Sequence, residues 1–465
     1  MELLLILQPN LVINAVASPS FELKPHFTNH PNSTLLFADI SGYTALAQSL
    51  GAAGAEGTEA LSSALDQFFG IAISSIYHFG GDVVKFCGDA ILCVFSPDRT
   101  VSPTQAAMQA VRCSLELKKK LRFFKAGEVE LDLKQMLAYG TIVGNFVGDS
   151  TLNHFEFLVT GAPLKQIADA ESFVNPGDII LSPEMHSVVS ASVSVHNVSD
   201  KSDTHNHKLL VDGDSEDPSR RATRVGVRRA SSGLASSQSG LSTSIPLLAA
   251  AGKTIRLSGD QQAVLEVFCE PQIIESLQGF AGSWSRLESF SHSMRSRISR
   301  HDMCTTIFIS VSSTKLDSPD PQTNLEGLNE AFVSFYAPAK SFGGTLRQFL
   351  TDDKGTVAII VFSGRESNTI SACRGALKIK ENFEEVGIAS NIGISTGKVF
   401  FGPVGDERRC EMAWIGDSVN LSARLMGKAK DTIMVDKATR EQAASDISFE
   451  MYGMVELKGK GVVAL

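Results

Sequence analysis

No run of about 18 or more apolar residues occurs in this 465-residue chain, so no segment has the makings of a membrane-spanning helix. Positive charge is not in excess either. The net charge is −9 and the pI about 5.6, which argues against a general nucleic-acid binder, since phosphate backbones are met by Lys and Arg. A nucleotide pocket stays open to such a chain, because a few local cations suffice for a triphosphate. Cysteine is sparse: Cys87, Cys93, Cys113, Cys269, Cys304, Cys373 and Cys410 are odd in number and lack metal-ligand spacing. Several sit in apolar runs such as GDAILCVF (88–95), as buried free thiols of a reducing compartment do. A cytoplasmic protein is the expectation.

A leader peptide is missing its usual opening. Leu3 to Leu7 followed by Ala15-Val16-Ala17 has the outline of one, but Glu2 stands where a cation belongs and Gln8-Pro9-Asn10 breaks the apolar run. The start therefore reads as a helix and turn packing against the first folded unit. What is present is an ordinary globular composition, 43% hydrophobic and 20% charged, with room for two or three domains.

Two segments read alike. The first carries LLFADISGYT (35–44), GGDVVKFCGDAILCVF (80–95) and VGNFVGDSTLNHFEFLVTGAPLKQIADA (143–170). The second carries CTTIFISVSS (304–313), GGTLRQFLTDDKGTVAIIVF (343–362) and TGKVFFGPVGDERRCEMAWIGDSVNLSARL (396–425). In each, a β-rich run precedes a helical stretch, then two β-rich runs meet at a tight polar turn, and another helix follows. Ser102-Pro103 marks the start of that helix in the first copy. The order βαββαβ predicts an α+β unit, ferredoxin-like or palm-type, occurring twice and forming a pseudo-two-fold pair within one chain. Residues 1–30 read as a lead-in, 31–195 as the first unit, 251–300 as a helical lead-in and 301–465 as the second unit. Between the units, 196–250 is rich in Ser, Arg and Asp, and its 196–246 part lacks aromatics, a disordered linker by composition.

The first copy holds two acids suited to chemistry. Asp39 ends an apolar run where a strand becomes a loop, and Asp89 lies in the turn between two β-rich runs. Acids so placed on neighbouring strands can converge and hold two divalent cations, Mg2+ or Mn2+, as nucleotidyl transfer needs. Ser41, Gly42 and Thr44 form a small-residue turn into a helix whose free N–H groups suit phosphate oxygens. Singly, each Asp is more often a turn former or helix cap. The second copy has Ser310 and Thr356 in their places, but it has Asn420 and Arg424, four apart on one helix face. An amide there can orient a ribose, and a guanidinium can stabilise charge on a phosphoryl group in flight. The first copy shows Ile167 and Glu171 at that spacing. Each copy thus lacks what the other keeps, and only one of two clefts between them would be fully equipped.

With FADISGYT, FCGDAILCVF, HFEFLVTG, DIILSP and IGDSVNLSARLM together, the chain resembles the class III nucleotidyl cyclases, specifically the bicarbonate-responsive soluble adenylyl cyclases of animals. The resemblance covers roughly 30–195 and 300–465 and implies conversion of ATP to cyclic AMP. It implies metal binding by Asp39, Asp89 and the carbonyl of Ile40, and ribose and transition-state contacts by Asn420 and Arg424. Lys354 would read adenine, and Lys134 would contact the triphosphate. Ala413 departs from the family's Asp or Thr at the base-reading position, leaving the backbone at Trp414. Lys85 and Val159 match a bicarbonate pocket, while the pocket's arginine aligns with Ala168. A guanylyl cyclase, or an inactive pseudo-cyclase that senses a nucleotide or anion, are the alternatives. GGDVV (80–84) has the look of a diguanylate cyclase loop, but Asp82 lacks the adjoining acid. In the linker, Arg220-Arg221-Ala222-Thr223 and Arg228-Arg229-Ala230-Ser231 resemble sites of the cyclic-AMP-dependent kinase, which predicts phosphorylation at Thr223 and Ser231.

Overall fold

The computed structural model describes residues 2–43, 46, 54–198, 206–209, 257–278, 299–352, 355–364, 368–457 and 461–464. Two short helices, α1 (Glu2–Ile6) and α2 (Asn10–Val16), come first, where one helix and a turn were expected. The first half then runs β1 (His26–Ser41), α3 (Gly54–His78), β2 (Asp82–Cys87), β3 (Ala90–Phe95), α4 (Pro103–Leu121), β4 (Phe124–Ala126), β5 (Val129–Asp149), β6 (His154–Thr160), α5 (Ala162–Glu171), β7 (Ile179–Leu181), α6 (Pro183–Val189), β8 (Val195–Val198) and β9 (Asn206–Leu209). Between the halves lie α7 (Gly259–Glu266) and α8 (Pro271–Gln278). The second half runs β10 (Arg300–Ser312), α9 (Pro321–Ser341), β11 (Thr345–Asp352), β12 (Gly355–Ser363), α10 (Asn368–Glu385), β13 (Ala389–Gly405), β14 (Cys410–Ile415), α11 (Asp417–Met426), β15 (Ile433–Val435), α12 (Lys437–Ala443), β16 (Met454–Leu457) and β17 (Gly461–Ala464).

The duplication holds strand for strand. In the first sheet the order is β2-β3-β1-β5, and in the second β11-β12-β10-β13. The ladder even repeats its irregularity, with the register shifting at Val84 in β2 and at Arg347 in β11. All six residues of β3 are buried, the continuous apolar run of a strand covered on both faces. On one face, Phe68, Phe69, Ile73 and Ile76 of α3 and Val111 and Leu117 of α4 close the first core. Helix α4 begins as its sequence promises: Ser102 accepts from the Gln105 N–H, Gln105 reaches back, and Pro103 opens the first turn.

The halves interlock reciprocally. Strands β5 and β6 send Val147 and Leu158 into the second core, while β13 and β14 send Phe400, Val404 and Ile415 into the first. Burial of apolar groups across the boundary, more than any single bond, holds the pair together.

The first sheet corrects one expected boundary. It continues past residue 195, because β8 and β9 form a hairpin whose β9 pairs with β7. Residues 206–209 therefore belong to the first unit rather than to a disordered linker. Thr223 and Ser231 lie outside the described residues. Among the described residues no helix is long and apolar enough to cross a membrane.

Candidate active site

Asp39 sits on β1 opposite Ala90 of β3 and Lys134 of β5. The Lys134 ammonium stands 3.8 Å from its Oδ2. Asp89 follows Gly88, whose φ of 74° turns the chain between β2 and β3. Its carbonyl accepts from the Ile40 N–H at 3.2 Å, so main-chain bonding fixes the two acid-bearing segments side by side. Beneath them Tyr43 is buried, and burial pushes its phenol well up, with the Asp89 charge adding to the shift. Ser41 ends β1 opposite Asp132. Gly42 then takes φ 91°, and a Cβ there would lie 2.8 Å from the Glu130 carbonyl oxygen, so the turn requires glycine. Thr44 lies outside the described residues.

Among the described residues no group of three or more His, Cys, Asp and Glu gathers into a metal cage. Two half-buried carboxylates remain, Asp39 on β1 and Asp89 in the turn before the neighbouring β3. That donor set suits Mg2+ or Mn2+, hard cations commonly bound by one or two carboxylates with substrate phosphates and water filling the other positions.

The second half supplies the complementary groups from α11. Asn420 and Arg424 stand one turn apart, both half-buried. The Arg424 Nη1 is buried with no hydrogen-bond partner among the described residues. Strand alternation on β14 sends Ala413 and Trp414, the positions expected to lie near the base, to opposite faces. The Trp414 ring packs inward against Phe401, 4.5 Å between centroids, and is 3% exposed. Only its backbone is available to a base. Ala413 faces the other way, against the first half's core beside Ile415. Lys354 lies outside the described residues. The halves meet where Cys87, two residues before Asp89, shares an apolar cluster with Met426, two residues after Arg424.

The ladders place Ser310 opposite Val357 just as Asp39 stands opposite Ala90, so Ser310 and Thr356 do occupy the acids' positions. The helical comparison needs correction. Helices α5 and α11 are both ten residues long and start after Gly161 and Gly416. This phase puts Lys165 and Asp169, not Ile167 and Glu171, at the positions of Asn420 and Arg424; Ile167 is a core residue at 2% exposure. The first half still lacks the pair.

The family model for the adenylate and guanylate cyclase catalytic domain matches residues 26–208 and 297–465. The chain belongs to this cyclase family. Adenylate cyclase type 10 of rabbit (Oryctolagus cuniculus) is 24% identical over 450 residues, 93% of this chain. Its human (Homo sapiens) counterpart is 24% identical over 445 residues. The chain spans about a quarter of the length of these relatives, 26% in each case. Among solved structures, a class III adenylyl cyclase-like ATP-binding protein from Pseudomonas aeruginosa superposes with a TM-score of 0.57 at 14% identity, covering 93% of this chain and 92% of that one. That likeness shows the fold.

On this cyclase scaffold a cavity of about 70 Å³ lies between the halves. Repeat-equivalent positions line it, Val84 with Arg347 and Glu156 with Glu411, which puts it on the pseudo-two-fold axis. Lys85 also lines it and is engaged: its ammonium donates to Glu156 Oε2 at 3.2 Å, and Gln348, its counterpart, donates to Glu411 at 2.5 Å. Val159 is buried in the apolar core at 3% exposure and does not join Lys85 there. Glu156, Glu411, Arg347 and Gln348 escaped the sequence reading, although the matched glutamates of HFEF and CEMA were visible in the repeat. Burial works against charge on Lys85, but Glu156 and Glu411 outweigh it and hold its pKa above the ordinary value. Burial likewise raises Glu156, and Lys85 and His154 outweigh it, so its pKa lies lower.

This pair yields a stability prediction. Glu156→Ala should cost about 3 kcal/mol by leaving a buried ammonium unpaired, whereas the double change Lys85→Met with Glu156→Leu should recover most of it. The glutamate's contribution is full above about pH 5 and fades as pH falls through its lowered value. The lysine's is full below about pH 10 and fades as pH rises through its raised value. Denaturant titration of the three proteins at pH 7 decides it; a double variant no more stable than Glu156→Ala contradicts the pairing argument.

Proposed function

We propose that the chain is an adenylate cyclase that converts ATP to 3',5'-cyclic AMP and diphosphate at one composite site between its halves. The observation that carries this reading is the division of labour: carboxylates at Asp39 and Asp89 in the first half only, Asn420 and Arg424 in the second only. The relatives' name, adenylate cyclase, points to the same reaction. Asp39, Asp89 and the Ile40 carbonyl would hold two divalent cations, which when bound offset the triphosphate charge and acidify the ribose 3'-hydroxyl. Ser41, Gly42, Thr44 and Lys134 would contact the triphosphate. Asn420 orients the ribose so that its 3' oxygen lies in line with the α-phosphorus. As the new O3'–P bond forms and the bond to diphosphate breaks, Arg424 meets the charge gathering on the phosphoryl oxygens. Lys354 and the backbone at Trp414 read adenine.

Ala413 weakens the base reading, because its methyl group offers no hydrogen bond where a polar reader would stand. Discrimination between ATP and GTP is therefore narrower than in an enzyme with a polar residue there. Ala413→Thr should raise the ATP/GTP ratio of kcat/KM, by up to about tenfold if it restores one hydrogen bond. Purified protein is assayed for cyclic nucleotide release with each triphosphate and Mn2+. Equal or better use of GTP by the unchanged protein would turn the reading to a guanylyl cyclase, and binding of ATP without release of cyclic nucleotide to a pseudo-cyclase.

A further inference from the structure

Arg409 is 2% exposed, and among the described residues the carboxylate it approaches is that of Glu411, at 3.9 Å. Its guanidinium instead donates to backbone carbonyls of three separate segments. Nε donates to Val83 of β2 at 3.1 Å, Nη1 to Leu7 at 2.9 Å and to its chain neighbour Cys410 at 2.5 Å. A planar five-donor group in a fixed fork is suited to gathering carbonyls from different directions, and no other side chain could replace all of these bonds. Arg409 belongs to the second half and β2 to the first, so the leading segment is tied into the seam between them.

The other contacts of residues 2–16 repeat this bridging. Asp82 accepts from the Asn10 and Leu11 N–H groups at 3.0 and 2.9 Å, which caps α2 where Pro9 offers no side-chain cap. Val12 and Val16 pack into the first half's inner sheet face with Val84, Leu265 and Phe268. Leu7 and Ile273 pack against the second half's Phe401 and Trp414 cluster. Gln8 donates to the Phe268 carbonyl at 3.2 Å. The inter-half segment is tied on both sides as well, by the Phe155 N–H to the Val267 carbonyl at 2.9 Å and by Lys340 to Glu270 at 2.9 Å. Leu7, Gln8 and Pro9 also wall the axial cavity.

We propose that residues 2–16 are a latch, held by Arg409 across the seam, that sets how closely the two halves meet and thereby positions the composite site. This deepens the function proposed above and rests on it. Arg409 is a positioning residue: its guanidinium bonds to the Val83, Leu7 and Cys410 carbonyls, and it acts through the seam. A small misplacement of groups contributed by different halves is costly, on the order of tenfold to a hundredfold in rate.

The test keeps the full chain and adds a specific protease site between Pro19 and Ser20, an exposed stretch. After cleavage the leading peptide should co-elute with the body in gel filtration, with kcat unchanged. In the Arg409→Gln form of the same protein the peptide should separate, and kcat should fall by at least about tenfold. A synthetic peptide of residues 2–19, added to cleaved Arg409 protein from which the original peptide has been washed in mild urea, should restore it. Arg409→Lys guards against a folding defect, since it keeps the charge but not the fork, and should release the peptide while circular dichroism stays native. The latch is overturned if the peptide stays bound in both Arg409 variants, or if it leaves and neither kcat nor the affinity for a fluorescent ATP analogue changes. Should the intact protein release no cyclic nucleotide, the cyclase reading fails by itself. Peptide retention and analogue affinity then still decide the latch.

Discussion

Arg424→Ala should lower kcat by two to three decades, with little change in KM for ATP. The guanidinium is already placed, on α11 and half-buried, with a buried Nη1 that no described protein group accepts from. A donor kept ready for charge that appears only during phosphoryl transfer stabilises the transition state more than bound substrate. Removing such a donor costs on the order of 3 kcal/mol of barrier, and the loss falls on kcat rather than on substrate binding. Steady-state kinetics on Arg424→Ala and Arg424→Lys separate this role from a structural one. Lysine keeps a positive charge without the planar fork, so it should recover only part of the rate. A full rate in Arg424→Ala contradicts the assignment of the guanidinium to the reaction. A rise in KM with kcat preserved would instead make it a ground-state contact.

How much of this was legible beforehand depends on the kind of signal each residue leaves. That Ser310 and Thr356 stand where Asp39 and Asp89 do was legible because β-rich runs and a tight turn flank both pairs, and a two-residue period leaves little freedom of alignment. The helix after β6 was misphased by two residues, since Ile167 and Glu171 satisfied the spacing and only the shared Gly161/Gly416 start reveals the true phase. Residues Asn206–Leu209 read as linker because NHKL shows no alternation. Their strand exists through backbone pairing with β7 and β8, which composition does not report. The Lys85–Glu156 pair joins β2 to β6, between residues 71 apart in the chain. Arg409 likewise reaches the distant Val83 and Leu7 carbonyls. Contacts made between such distant segments leave no local pattern, whereas the motifs that carry the chemistry do.

Asp39→Ala should abolish turnover to a similar or greater depth, about two to four decades, since it removes one of the two carboxylates proposed to hold the cations. Raising Mn2+ should recover a small part of the rate at most, because weaker metal binding is only one component of the loss. The more telling experiment mixes Asp39→Ala chains with Arg424→Ala chains. If halves of different chains could pair, each mutant would donate the intact half that the other has lost, and activity would return. The structure argues that it will not. The second cleft offers Ser310 and Thr356 in place of the acids, and Lys165 and Asp169 in place of the amide and guanidinium. The halves of one chain are interlocked through Val147, Leu158, Phe400, Val404 and Ile415, so exchange between chains would expose apolar surface on both sides. Co-expressed, differently tagged mutants purified through both tags provide the strictest mixture. Recovery toward half of the unmutated rate in that sample would mean that the composite site forms between chains. An inactive mixture, with each mutant as stable as the parent to heat, is the result expected of one cleft built from the two halves of a single chain.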